Sequence, residues 1–190
     1  MNDLKIGFAL CGSFCTFSQA ISQIEILKND GADIFPIMSF NASSIDTRFG
    51  KADDHIEKIE NICERKVIKT IFDAEPIGPK LKLDLMIVEP CTGNTIGKLA
   101  NGIADTPVTL AVKAHLRNEK PVLIAVSSND ALSTSAANIG KLMNTRGIFF
   151  VPLKQDAPDS KSRSIVADFF LTKRAAISAL SGKQLQPIIF

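Results

Sequence analysis

Small hydrogen-bonding residues gather at two places where apolar runs give out. One is Cys11-Gly12-Ser13-Phe14, directly after Lys5–Leu10; the other is Pro90-Cys91-Thr92-Gly93-Asn94-Thr95, after Leu85-Met86-Ile87-Val88. Gly12 lets a backbone approach a ligand closely, and Ser13 adds a hydroxyl at the mouth of a helix, where free N–H groups favour anions such as phosphate. Asn94 and Thr95 are good N-cap residues, and Ile96, Leu99, Ala100 and Ile103 share one face of a helix beginning there. Gly93, Asn94 and Thr95 would then sit at the carboxyl end of a strand, where doubly wound sheets bind their ligands. Each cluster also suits an ordinary strand–turn–helix joint, but the density of small donors in the second argues for a ligand.

The elements that must position these residues alternate strand, helix, strand with short joints, the signature of a parallel α/β sheet. Strands are expected over 5–10, 33–38, 85–88 (stopping at Pro90), 121–126 and, as the last, 148–151. The first helix carries Phe17, Ala20, Ile21, Ile24 and Leu27 on one face and ends at Asn29-Asp30-Gly31. Further helices are expected over about 52–64, 107–117, 133–145 and 163–180, with an exposed loop of lid-like length and polarity at 152–162. The expected fold is one domain over 1–190: a three-layer, doubly wound parallel sheet, Rossmann-like or flavodoxin-like.

Composition narrows the function. A net charge of +2, with basic residues scattered rather than in runs, gives no nucleic-acid footprint. No apolar stretch reaches the ~18 residues that span a bilayer, and the start Met1-Asn2-Asp3-Leu4-Lys5 lacks the order of a signal peptide, so a cytoplasmic protein is expected. Four cysteines (Cys11, Cys15, Cys63, Cys91) and two histidines (His55, His115) show no zinc spacing; the thiols are expected free and no metal is expected. Tyrosine is absent, which removes it as a general acid. Neither G-x-G-x-x-G nor a P-loop pattern is present, which argues against NAD or ATP held by those fingerprints.

The segment 90–105 resembles the Pro-Ala-Thr-Ala-Asn-Thr-Ile-Ala-Lys-Ile-Ala-Asn-Gly-Ile-Ala-Asp motif of the homo-oligomeric flavin-containing cysteine decarboxylases, the FMN flavoproteins. Cys91, Gly93 and Gly97 stand where the motif has alanine, and Leu99 where it has isoleucine; the rest matches residue for residue. The resemblance implies FMN as cofactor, with its phosphate at Gly12, Ser13 and Phe14, helped by Ser39 at the end of the second strand and Asn41 just beyond. It implies that Pro90, Thr92, Gly93, Asn94 and Thr95 lie near the flavin ring or ribityl chain. A family Pro-Ala-Met-Asn element corresponds to Val126-Ser127-Ser128-Asn129, which places Ser127 and Ser128 at the flavin and Asn129 at substrate or flavin. Trimers, sometimes arranged as dodecamers, are also implied, and 107–117 is apolar around most of its circumference, so a second surface must cover it; the tail 187–190 is the alternative cover.

One departure decides the branch. The decarboxylases carry a His-x-x-Leu pattern upstream of the central motif, and the stretch Glu75–Pro79 that stands there has no histidine. His115 falls in a helical pattern with Val112 and reads as structural; His55 follows Asp53-Asp54 at a helix start and reads as solvated or capping. Oxidative decarboxylation of a cysteine-like substrate is therefore disfavoured. The variant Pro-Cys-Thr-Gly-Asn-Thr is similar to one branch whose members, with a second subunit, convert a reduced lysine-pathway dicarboxylate to an aromatic pyridine dicarboxylate during spore formation. A flavin can accept the hydride lost. Cations for the dicarboxylate would come from Arg48, Lys51, Lys161 and Arg163, each of which also suits a solvated surface. The alternatives are an FMN-dependent decarboxylase of another substrate and a non-catalytic partner subunit.

Overall fold

The apolar runs that end in polar turns become the centre of a parallel sheet in the computed structural model, which describes residues 1–190. Strands β1 (Lys5–Leu10), β2 (Asp33–Met38), β3 (Leu85–Cys91), β4 (Val122–Ser128) and β5 (Ile148–Phe150) lie in the order β2-β1-β3-β4-β5, all parallel. Every residue of β3 is buried, Glu89 included, as a strand covered on both faces requires. A sixth strand, β6 (Ile165–Val166), runs antiparallel against the end of β4, pairing Val166 with Ser127 and Ile165 with Ser128.

Helices cover both faces. On one side α1 (Phe17–Asn29) packs against α7 (Thr172–Leu180), with α2 (Ala52–Cys63) beside α1 and β2. On the other, α5 (Pro107–Leu116) lies across β2, β3 and β4, flanked by α3 (Ile71–Ala74) and α4 (Gly93–Ala100), and α6 (Ala136–Met143) packs on α4 and β5. Local chemistry sets these elements. The side chain of Thr106 accepts from the N–H of Thr109 and that of Thr109 reaches back to Thr106, a capping box with Pro107 in the first turn of α5. Phe17, Ala20, Ile21, Ile24 and Leu27 of α1 all enter a single core cluster of 51 residues. No helix is long and apolar enough to cross a membrane.

Several expectations need correction. The third strand does not stop at Pro90 but runs to Cys91, with a register shift against β4 between Val88 and Cys91. Pro90 is tolerated there because its carbonyl still accepts from Cys11 N at 3.1 Å, while its missing N–H falls at the irregularity. The motif helix starts at Gly93 with Thr92 as N-cap, so Asn94 and Thr95 lie inside its first turn and Ile103 falls beyond its end. The helix expected over 133–145 shortens to α6. The strand at 148 is not the last, and the final helix begins at Thr172 rather than near 163. Residues 165–166 instead pair with β4, and Asp168 caps a 3-10 turn by accepting from Phe170 N at 3.2 Å. The tail does not cover α5: Leu153 donates to the Ile188 carbonyl at 2.7 Å, whereas α3 and the following 3-10 turn pack on α5, with Asn118 donating to the Gly78 carbonyl at 2.8 Å.

Candidate cofactor and substrate site

The strand order reverses between β1 and β3, and at such a switch point the loops leaving the two strands diverge to open a crevice. Gly12 follows β1 and Thr92 follows β3. Both line two adjoining cavities of about 450 and 320 Å³, which also share Asn94. The size suits a small-molecule site.

The larger cavity is walled by Ser13, Phe14, Gly93, Ser127, Ser128, Asn129 and Lys161. Hydroxyls stitch its strand-end turns together: Ser13 Oγ and Ser127 Oγ lie 2.8 Å apart, joining the turns after β1 and β4. Gly93 N donates to Ser128 Oγ at 3.2 Å, Ser128 Oγ donates to Asp130, and Ser135 Oγ bonds the same carboxylate at 3.0 Å. A Cβ at position 93 would stand 2.6 Å from Asp130 Oδ1 and 2.7 Å from both serine hydroxyls, so only glycine allows the seam to close. Asn129 is exposed and accepts from Ser164 Oγ at 3.4 Å.

The smaller cavity is lined by Ser39, Asn41, Thr95, Lys98 and Thr106. Ser39 Oγ accepts from Ala42 N at 3.3 Å. Thr95 is buried and lies 3.2 Å from the Cys11 sulfur. A hydrogen bond from Cys91 draws the Cys11 thiol down, whereas burial pushes the Cys91 thiol well up. All four cysteines are free.

Charges are few. Lys98 pairs with Asp105 at 2.8 Å and Lys161 with Asp156 at 3.2 Å, leaving hydroxyls, amides and backbone N–H groups as the main donors. Although partial burial works against it, hydrogen bonds from Ser164 and Lys161 hold the Asp156 carboxyl below its usual value.

Of the residues expected from sequence, Gly12, Ser13, Phe14, Thr92, Gly93, Asn94, Ser127, Ser128, Asn129 and Lys161 meet at the larger cavity, and Ser39, Asn41 and Thr95 at the smaller. Pro90 is buried in β3 and lines neither. Three of the four expected cations lie outside both linings. Lys51 heads α2 and is exposed; Arg48 stands over the ring of Phe49, 4.9 Å from its centroid; Arg163 precedes β6, exposed, with its carbonyl accepting from Leu132 N. Sequence reasoning missed Phe49, Asp130, Asp156 and Thr106. Asp130 could have been found, since it directly follows Asn129 and its carboxylate can hold neighbouring serines.

Neither histidine reaches the cavities. His115 is fully buried with Nε2 2.9 Å from the Pro121 carbonyl, and burial lowers its pKa to about 4. His55, expected to be solvated or capping, instead sets its ring edge-on to Phe17 at 5.1 Å, with Nε2 shielded from solvent.

A family model described as Flavoprotein matches residues 1–174. The chain belongs to that family. It is 45% identical over 185 residues to the B subunit of dipicolinate synthase from Bacillus subtilis (strain 168), spanning 97% of this chain and 92% of that protein. The crystal structure of the dipicolinate synthase B subunit from Bacillus halodurans superposes with a TM-score of 0.91 at 40% identity, covering 100% of this chain and 98% of that one. This flavoprotein is thus a homologue of the B subunit of dipicolinate synthase. Crystal structures of FMN-dependent cysteine decarboxylases share the fold, one of them with a TM-score of 0.69 at 21% identity over 94% of this chain and 97% of that one.

Proposed function

We propose that this chain is the cytoplasmic flavoprotein component of a dipicolinate synthase, one domain over 1–190. In this reading it binds FMN across the two cavities and, with the A subunit of dipicolinate synthase, takes part in oxidising a dihydrodipicolinate-type intermediate to dipicolinate during sporulation. The observation that carries the reading is the 45% identity to a dipicolinate synthase B subunit over 97% of the chain. The crevice at the β1/β3 switch point supports it.

The residues present fit FMN. Its phosphate would be held by Ser39 and Asn41 around the bare Gly12 backbone in the smaller cavity, which no carboxylate lines, with Ser13 at the adjoining edge of the larger one. Thr92, Gly93, Asn94 and Thr95 offer hydroxyl, amide and first-turn N–H groups to the ring or ribityl chain, where the positive end of α4 favours electron density. Bound FMN supplies a two-electron acceptor for the hydride lost when a dihydropyridine ring becomes aromatic. The chain's own residues hold and orient. Asp130 fixes Ser128, and Ser128 accepts from Gly93 N, which locks the β4 turn to the start of α4. Asn129 and Lys161 face the same cavity and offer an amide and an ammonium to a substrate carboxylate.

The test is dipicolinate formation from a dihydrodipicolinate-type precursor. Adding the chain to the purified A subunit should raise the rate above what that partner reaches by itself. Equal rates would overturn the enzymatic reading in favour of a component without catalytic work. Decarboxylation of peptidyl or phosphopantothenoyl cysteine at enzymatic rates would overturn the branch.

A further inference from the structure

Phe49 is an unexpected residue for its place. A large apolar ring in a polar stretch gains by folding inward, since burying a phenylalanine is worth about 1.5–3 kcal/mol. Phe49 nevertheless remains 45% exposed at the wall of the larger cavity. It is held there. Thr47 and Gly50 exchange both backbone hydrogen bonds, at 3.0 and 3.1 Å, around a two-residue tip formed by Arg48 and Phe49. Phe49 N donates to Thr47 Oγ1 at 3.1 Å, and Asp46 anchors the turn to α2 by accepting from Ala52 N at 2.9 Å. Gly50 takes φ +136°, and a Cβ there would stand 2.7 Å from His55 Nε2, so the turn is fitted to the helix behind it. On this tip the guanidinium of Arg48 lies over the Phe49 ring, 4.9 Å from its centroid.

We infer that the 47–50 turn is the specificity wall of the substrate subsite, with Phe49 stacking a planar conjugated ring and Arg48 pairing with a carboxylate that the ring carries. The inference rests on the proposed dipicolinate reading and names the residues that recognise its substrate. An aromatic ring prefers an offset planar partner, and the Arg48 guanidinium, outside the lining and stacked on one face of Phe49, leaves the other face for that partner while holding its fork beside the ring at little entropic cost. Asn129 lines the same cavity with an exposed amide that can take the second carboxylate. The two carboxylates in the lining do not oppose this: Asp156 is paired with Lys161, and Asp130 is held by Ser128 and Ser135.

The experiment measures binding of two probes to the full chain loaded with FMN. Dipicolinate is planar; piperidine-2,6-dicarboxylate carries the same carboxylates on a saturated, puckered ring. Phe49→Leu should weaken dipicolinate about three- to tenfold, the range of a lost aromatic pair, while the saturated analogue changes by less than about twofold. Arg48→Met should weaken both. A Phe49→Leu effect equal for both probes, or absent for dipicolinate, would overturn the stacking role. Failure of the wild-type, FMN-loaded chain to bind either dicarboxylate would instead overturn the substrate reading, and the inference with it. Thermal melting shows that the variants fold, since both side chains stand at the tip of an exposed turn.

Discussion

Glu89 occupies the least hospitable position of any carboxylate in the fold. It is fully buried in β3, one carboxyl oxygen accepting from Thr172 Oγ1 at 2.7 Å and the other without a partner. Burial pushes its pKa from 4.5 to about 8. The folded state therefore holds a proton that the unfolded state releases, and stability falls as pH rises from about 4.5 to about 8. Glu89→Gln keeps a neutral group of the same shape, so its melting temperature should fall less between pH 5 and 8 than that of the wild type. Equal slopes would show that Glu89 is not protonated in the fold. His115 acts in the opposite sense. Held neutral by burial with a pKa of about 4, it costs stability as pH falls from 6.5 towards 4. Both effects were beyond sequence reading, because one-dimensional pattern gives a residue's polarity but not what stands opposite it. Arg48, Lys51 and Arg163 show the same limit: being charged in a polar stretch says nothing of which way an exposed side chain stands.

At the scale of elements, the joint between β4 and α4 is the tightest part of the site. Gly93→Ala drives a methyl group into Asp130, Ser128 and Ser135, and separating that seam should cost about 1–3 kcal/mol, several degrees in Tm. It should also weaken FMN, because Gly93 N loses its acceptor. By contrast, a Cβ at Gly140, in α6, meets nothing within 4 Å, so Gly140→Ala should hold or raise Tm by helix propensity. A Gly93→Ala variant as stable as the wild type would show that the seam relaxes. Elements built on a single strong pattern were legible: β1, β2 and the apolar face of α1 match their expected residues because each pattern follows from burial alone. The extension of β3 through Pro90 and the short β6 were not, because they depend on pairing across distant segments.

For the molecule as a whole, the doubly wound parallel sheet was legible in the alternation of strands and helices, whereas the strand order β2-β1-β3-β4-β5 and the surfaces that remain uncovered were not. Helix α5 was expected to need a second covering surface, from another copy of the chain or from the tail 187–190, yet α3 and its following turn pack on it within one chain. The exposed apolar surface lies elsewhere: Phe72 and Phe170 are each 86% exposed, with Ile189 and Phe190 largely so. They do not form one patch: Phe72 stands on α3 on one face of the sheet and Phe170 beside α1 and α7 on the other, so each meets a different neighbour in an assembly. We propose that contacts through such side chains join copies of the chain into a trimer or a multiple of three. Light scattering should give a mass at or above three times 20.5 kDa, and a monomer at micromolar concentration would contradict it.

The claim on which the rest depends is that FMN occupies the crevice at the ends of β1, β2, β3 and β4. Fluorescence titration of FMN with the purified full chain tests it directly, with Ser13→Asp as the second arm. The wild type should quench flavin emission with a Kd in the micromolar range or below, about −8 kcal/mol or stronger. Ser13→Asp replaces the hydroxyl that now lies 2.8 Å from Ser127 Oγ with a carboxylate facing the proposed phosphate. Charge repulsion should then weaken binding at least about tenfold. No quenching by the wild type at micromolar protein, or equal affinity in the variant, would contradict the placement of the cofactor.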